Sequence, residues 1–502
     1  EDLIQSSVLF SFTYLCLLYQ RWIYDTKKRR SIGSGAIAKV EAESLESNPN
    51  YFDVLIVGAG PAGSTAAYFS AHEGKLKVGL FDKKSFPRAK PCGDAWCAPA
   101  LNLLEEMGVL KKMESDGIIH SVNRGGFISP FGYQCINTDG AKYGTVTGCK
   151  TYAIKRYIAD KYLVDAATSS PLCTFVESEV YDAEFCEDTK GNGYWKIRTS
   201  KAGEDGNIEQ CYTAKMLLVC DGSTSYLGQK LGLVQKGSVS EAVCSHAYVK
   251  GGTHEWTNAD GVMVFNRSVL PGYSALFRHY NDDMYLGTYI LPGGKATSRC
   301  IAPVELELVQ HHPYIQKAFG DRYEFAEKRI VAPIRLGGVV KSYGRQVLLV
   351  GDSAGQVDPL TGEGIHCAMQ AARIASQCLS EMFHTGDFSL AACEAYSLRC
   401  WDLFGWDFIA SQLAAVAIYR FPILLDAVAV AGARRGQAFL DFFGEVMTGV
   451  RSKAAFLQQP DLVRDIVLEL FRQIWLQYIW GCTPLVPQDI GEKVVARRAA
   501  KP

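Results

Sequence analysis

Gly58, Gly60 and Gly63 stand two and three residues apart, and Asp82 follows about twenty residues later. That set can hold a dinucleotide phosphate. Gly58 permits a tight turn, Gly60 lets the backbone approach a pyrophosphate, and Gly63 lets a helix pack closely on a strand. Pro61 and Ala62 complete the turn, where free N–H groups at a helix start would meet the anion. Asp82 can accept bonds from a ribose hydroxyl, and Lys83 stands beside it. A second set reads Gly351-Asp352, then Asp358-Pro359-Leu-Thr-Gly362-Glu-Gly364-Ile365. Here an Asp can again accept hydroxyl bonds, and glycines allow a flat ring to lie against the backbone. Between the two sets, Ser85 to Asp94 holds two prolines and a glycine, which shape a loop and not a helix. That loop presents Arg88, Cys92, Gly93 and Asp94.

Strands and helices must carry these turns. Val54 to Val57 is a short apolar run suited to a strand buried on both faces, Ser64 to His72 can form a helix, and Val78 to Phe81 is a second strand leading into Asp82. Tyr51 to Lys84 is therefore one βαβ unit. Met216 to Cys220 is another buried strand, ending in Asp221-Gly222, and Val347 to Val350 delivers Gly351-Asp352. Pro99 to Gly108 reads as an amphipathic helix, and Tyr152 to Ala167 as a helix carrying Arg156 and Asp160. Ile118 to Ile208, apart from that helix, and Val243 to Ile290 read as strands and turns; beyond Ala368 the pattern is helical almost to the end.

With 502 residues the chain exceeds one hydrophobic core, so two or three domains are expected. Its net charge of −1 argues against nucleic acid as a partner. The 16 cysteines lack paired C-x-x-C units, so no metal site is expected, and a reducing compartment is the simpler setting. Leu3 to Gln20 is uncharged. A helix from Leu3 to Tyr24 would reach about 33 Å, enough to span a bilayer core. Trp22 and Tyr24 suit a membrane interface, and Lys27-Lys28-Arg29-Arg30 supplies a positive flank. The reading is a single membrane helix over 1–24 and a polar tether over 25–50, with the bulk of the chain on the cytoplasmic or stromal side. The membrane would be that of a chloroplast thylakoid or the endoplasmic reticulum. A signal peptide and a helix lying on the protein are the rival readings.

The second glycine-rich set, taken with Arg156-x-x-x-Asp160 and Asp221-Gly222, resembles the FAD-binding half of flavoproteins with the p-hydroxybenzoate hydroxylase type of fold. The resemblance implies that FAD is the cofactor, that Asp352 holds the ribityl chain, and that the Gly362 to Gly364 turn presents a helix N-terminus to the flavin pyrimidine edge. The Arg88 to Asp94 loop is similar to that of the geranylgeranyl reductase family, which saturates double bonds in prenyl chains. Its cavity motif, P-x-x-Y-x-W-x-F-P, is matched in part by Pro271-Gly272-Tyr273-Ser-Ala275-Leu-Phe277-Arg278. Ala275 stands where the family has Trp, and Arg278 where it has Pro. Cys92, Tyr273 and Phe277 are the implied active-site residues, with His279 and His366 as other proton carriers. A thiol near its ordinary pKa of about 8.5 is a poor acid for an unactivated alkene.

The implied fold is α/β. A discontinuous Rossmann-like FAD domain covers 51–125, 209–235 and 330–384, an inserted antiparallel-sheet substrate domain 126–208 and 236–329, and a helical C-terminal part 385–502. The implied activity is reduction of an isoprenoid lipid or pigment side chain, with NADPH or reduced ferredoxin as electron donor. A flavin monooxygenase acting on an apolar substrate and a non-catalytic subunit of a membrane protein complex are the alternatives. Ala275 would widen the cavity, and Arg278 would place a charge at its mouth.

Overall fold

A computed structural model describes residues 48–136, 151–203, 206–235, 240–251, 259–281, 283–291, 300–320, 322–326, 329–338 and 341–499. The expected membrane helix, and all but the last three residues of the expected tether, lie outside this set.

Two eight-stranded sheets organise the chain. At the centre of the first is β1 (Tyr51–Val57), whose Val54, Leu55 and Ile56 are fully buried. Each such side chain stabilises the fold by about 1.5–3 kcal/mol relative to exposure. Parallel to it run β2 (Val78–Asp82) on one side and β11 (Gly206–Val219) on the other. β8 (Cys173–Glu177) extends the sheet beyond β2. β19 (Val347–Leu349) and β18 (Tyr343–Gly344) extend it beyond β11, and β9 (Glu179–Glu187) and β10 (Gly193–Gly203) form a meander with β11. Helix α1 (Pro61–His72) begins with a proline where no N–H partner is needed. Its Ala66 and Ala67 are buried with Ala371, Ala372 and Ala375 of α5 (Ile365–Thr385), so small side chains bring the two helices together.

The second sheet holds β5 (Gly125–Ile128), β6 (Gln134–Ile136), β12 (Ser240–Lys250), β13 (Gly261–Val264), β14 (Gly272–Arg278), β15 (Met284–Ile290), β16 (Glu324–Phe325) and β17 (Ile330–Leu336). One face carries Val262, Val264, Leu276 and Leu286 into a core with α4 (Ile301–His311). The opposite face carries Tyr273, Ala275, Phe277 and Tyr289 into a cavity. A small third sheet joins β3 (Ala95–Cys97), β4 (His120–Ser121) and β7 (Thr151–Ala153). Helices α2 (Ala98–Glu106) and α3 (Arg156–Thr168) pack beside it. At the C-terminal end lie α6 (Leu390–Arg420), α7 (Ile423–Arg435), α8 (Gln437–Met447) and α9 (Pro460–Ile474).

Strand pairing corrects the segment limits drawn from the sequence. Residues 173–203, expected within the substrate domain, complete the first sheet, because β8 continues the parallel order beyond β2 and β10 pairs with β11. Ile330–Leu336, expected in the FAD domain, pairs with β12 of the second sheet. The helix expected from Tyr152 starts at Arg156, since Thr151–Ala153 pairs as a strand with β3 and β4. Among the described residues no single helix is long and apolar enough to cross a membrane. The pair α6 and α7 passes that test together by length and composition, but it is bent by 106° at Phe421-Pro422. Pro422 has no N–H to continue the ladder.

Burial also sets the acid response. His279, His312 and His366 are buried, which lowers them to about 3, 4 and 4. The unfolded chain protonates them near 6.5 and the folded chain does not, so stability falls as pH drops below about 6.5. His312→Phe should flatten urea-unfolding stability against pH by up to about 1.4 kcal/mol per unit between 6.5 and 4. An unchanged slope would show that His312 is protonated in the native state.

Candidate active site

A cavity of about 930 Å³ runs from the first glycine turn to the wall formed by β14 and α8. Added side chains separate its glycines by purpose. A Cβ at Gly58 would lie 2.2 Å from the Cys220 carbonyl oxygen, and one at Gly63 1.8 Å from that of Gly58. These two are glycine because the protein itself fills the space. A Cβ at Gly60 would meet only the Arg88 guanidinium, at 3.7 Å, and Gly60 has an ordinary φ of −78°. The protein leaves that position open for something else.

Polar groups surround the open turn. Asp82 Oδ2 accepts from Ala59 N at 3.1 Å and from Arg88 Nη2 at 3.2 Å, and Arg88 Nη2 is also 3.7 Å from Asp160. Arg156 donates to both oxygens of Asp160, at 2.7 and 3.0 Å. Lys83, at the rim, pairs with Glu179 at 3.4 Å and is largely exposed. Asp221 Oδ2 caps Leu227 N at 2.9 Å, whereas its buried Oδ1 has no hydrogen-bond partner among the described residues. The Arg88 Nε likewise has none. Asp352 accepts from Ser223 Oγ at 3.1 Å and faces the same cavity. An open glycine cradle, carboxylates facing it and orphaned buried polar atoms fit a bound dinucleotide cofactor.

The second turn is built on Asp358. Its Oδ1 accepts from Leu360 N, Thr361 N and Thr361 Oγ1 at 2.8, 2.9 and 3.1 Å. Its Oδ2 accepts from Ser411 Oγ at 2.7 Å and lies 3.0 Å from Lys453 Nζ. Burial alone would raise this carboxyl; Lys453 and the hydrogen bonds hold it below the usual range. Tyr273 donates its hydroxyl to the Thr361 carbonyl, tying β14 to the turn. Gly362, Gly364 and Ile365 line the cavity at the start of α5. Gly63, Gly351 and Pro359 are not in the cavity wall and shape the backbone behind it.

The loop with Cys92, Gly93 and Asp94 also reaches the cavity. His246 Nδ1 donates to the Cys92 carbonyl at 2.8 Å. Asp94, at φ +56°, accepts from Arg156 N at 3.2 Å and from the Tyr248 hydroxyl. Burial raises Asp94 to about 6. Burial also raises the Cys92 thiol, outweighing the nearby Arg156 guanidinium. Phe277 and Ala275 line the cavity beside Tyr273. Ala275 packs against Tyr248 and Tyr285, so those rings take part of the room that the small side chain was expected to open. Arg278 is a correction. Side chains alternate along a strand, so it turns to the face opposite Phe277 and does not line the cavity. His279, expected as a proton carrier, is buried 3.5 Å from Asp94 Oδ2 and is also outside the wall.

Sequence reading missed Glu363, which lines the cavity between Gly362 and Gly364. Cys97, Glu363 and His366 bring one polar atom each within 4.8 Å of one another. It also missed the apolar wall of Leu440, Phe443 and Met447 on α8. The phenylalanine-rich run around Phe443 was the available signal, but helical periodicity does not say which cavity a helix faces.

The sequence family described as FAD binding domain matches residues 51–402. The menaquinone reductase of Mycobacterium tuberculosis is 30% identical over 65% of this chain and 76% of its own length. This chain belongs to the FAD-dependent oxidoreductases that carry this FAD binding domain. Digeranylgeranylglycerophospholipid reductase of Methanocaldococcus jannaschii is 27% identical, covering 72% of this flavoprotein and 85% of the relative. Conditioned medium factor receptor 1 of Dictyostelium discoideum is 38% identical over 86% and 83%. A geranylgeranyl bacteriochlorophyll reductase-like protein of Thermoplasma acidophilum shares the fold, with TM-score 0.66 at 18% identity, over 82% of this chain and 99% of that one.

Stripped of FAD, Gly60→Val should melt at the temperature of the FAD-free wild type, since no protein atom but the Arg88 tip lies near. It should lose FAD affinity by at least about tenfold, measured by flavin content after gel filtration. Full flavin retention would place the pyrophosphate elsewhere.

Proposed function

We propose that this flavoprotein saturates carbon–carbon double bonds of an isoprenoid lipid or pigment side chain, working at a membrane. The observation that carries the reading is the continuity of the cavity. The polar dinucleotide cradle opens without a partition into an apolar chamber walled by Phe277, Leu440, Phe443 and Met447. The relatives named for reducing a digeranylgeranyl lipid and menaquinone support the same substrate class.

FAD, held by the turns at Gly60 and Gly362 with Asp82 and Asp352, would supply hydride when reduced. The chain's own contribution is orientation and exclusion of water. An isolated alkene has no carbonyl to polarise, so much of the rate must come from holding it against the donor in a dry chamber. Tyr273 fixes the relation of the apolar wall to the flavin turn through Thr361. Cys92, kept as a thiol by burial, faces the same space. NADPH or reduced ferredoxin would recharge the flavin.

The receptor-named relative supports a second reading, in which the same cavity binds an apolar ligand without turning it over. Anaerobic incubation of the reduced protein with geranylgeranyl diphosphate or a menaquinone separates the readings. Mass spectrometry should show two hydrogens gained per reduced bond. Oxygen incorporated in air would indicate a monooxygenase, and binding without mass change would favour the second reading.

Ala275→Trp should crowd Tyr248 and Tyr285 and weaken binding of the apolar probe by about tenfold or more, with FAD content unchanged. Equal affinity in a quenching titration would show that the ligand does not reach β14.

A further inference from the structure

We infer that Glu363 is the proton donor of this cavity, held in place by the Cys97 thiol. The inference rests on the double-bond reduction proposed above and names the second reacting group. Glu363 stands in the turn that lines the cavity just before α5. Its Oε1 accepts from Cys97 Sγ at 3.3 Å. Its Oε2 is buried with no hydrogen-bond partner among the described residues, 3.8 Å from His366 Nδ1. A buried carboxylate oxygen left unpaired is costly, while a protonated one can donate to a ligand.

The other lining groups are less suited. Asp94 has both oxygens engaged, by Arg156 N and the Tyr248 hydroxyl. Burial raises the Cys92 thiol and puts Tyr273 and Tyr289 well above an ordinary phenol. His366 is lowered to about 4 and is neutral. Glu363 is raised to about 7, first by burial and then by Asp358, with Lys453 and the Cys97 hydrogen bond acting the other way. The titratable groups around it are thus Cys97, Tyr273, Asp358, His366, Cys367 and Lys453, with Asp407 beyond, 3.2 Å from Lys453. Lys453 Nζ pairs with Asp358 at 3.0 Å and with Asp407 at 3.2 Å, and makes no ion pair with Glu363 among the described residues. A general acid is most effective when its pKa lies near the working pH.

Saturation consumes one hydride and one proton. The reduced flavin, when bound, would supply the hydride that forms one C–H bond as the π bond opens. The Glu363 O–H bond then breaks, and its proton forms the second C–H bond. The alkene gains two electrons, the flavin loses two, and the remaining carboxylate is reprotonated from solvent.

The test uses the full chain with FAD bound and geranylgeranyl diphosphate or a menaquinone as probe. Glu363→Gln should keep its flavin and its reduction by dithionite, yet saturate the probe at least about 100-fold more slowly. Wild-type saturation should fall as pH rises through about 7. Infrared spectra should show a protonated carboxyl band that titrates there and is absent from Glu363→Gln. Cys97→Ala removes a bond to the ionised form, so both the band and the pH limb should move upward. A Glu363→Gln protein that saturates near the wild-type rate, or a wild type without the band, would overturn the assignment. If wild type saturates neither probe, the reductase reading fails by itself, and the band alone decides whether Glu363 holds a donatable proton.

Discussion

The contact on which the structure depends is the approach of α1 to the strand that precedes it. A Cβ at position 63 would lie 1.8 Å from the Gly58 carbonyl oxygen, so the helix can start there only with glycine. Once it does, its N-terminus points along the end of β1, and its alanines meet those of α5. That second helix begins at the Asp358 to Gly364 turn. One close backbone contact therefore sets the distance between two glycine-rich turns more than 290 residues apart in sequence. A side chain at either Gly58 or Gly63 would move both walls of the cradle at once.

The second sheet divides two environments with one layer of strand. Leu276 packs toward α4 while Tyr273, Ala275 and Phe277 face the cavity, so the period of two decides what is core and what is site. Tyr273 adds a constraint that packing alone would not supply. Its hydroxyl bonds to the backbone of the Asp358 to Gly364 turn, so the apolar chamber cannot slide relative to the cradle without breaking a buried hydrogen bond.

Much of this was legible in the chain. The glycine turn, Asp82 and Asp352 announce themselves because a dinucleotide imposes residue types at short, fixed spacings. What was not legible depends on partners distant in sequence. Nothing local in Cys173–Glu177 says that it pairs with Val78–Asp82, and so the domain limits drawn from runs and turns were misplaced. Arg278 follows Phe277 directly, yet a strand sends the two to opposite faces. Tyr152 begins an apparently helical run but is taken by β3 and β4, so that Arg156 opens the helix. Glu363 was visible as a letter within a glycine-rich turn. Its role is set by Cys97 and His366, which only folding brings to it.

Charge balance explains why Asp94 and Glu363, two of the cavity's acids, differ. Asp94 is buried but enclosed by donors, with Arg156 N on one oxygen and Tyr248 on the other, so its carboxyl is a structural joint. Arg156 donates to both oxygens of Asp160, and its pull on the Cys92 thiol is outweighed by burial. With that charge matched, burial controls the Cys92 thiol, and a thiol of raised pKa neither attacks nor readily gives up its proton. Glu363 lies beside Cys97, where Lys453 is divided between Asp358 and Asp407 and makes no ion pair with it among the described residues. Arg156 and Lys453 are thus committed to other carboxylates, and this leaves Glu363 with an open oxygen and a carboxyl raised to about 7.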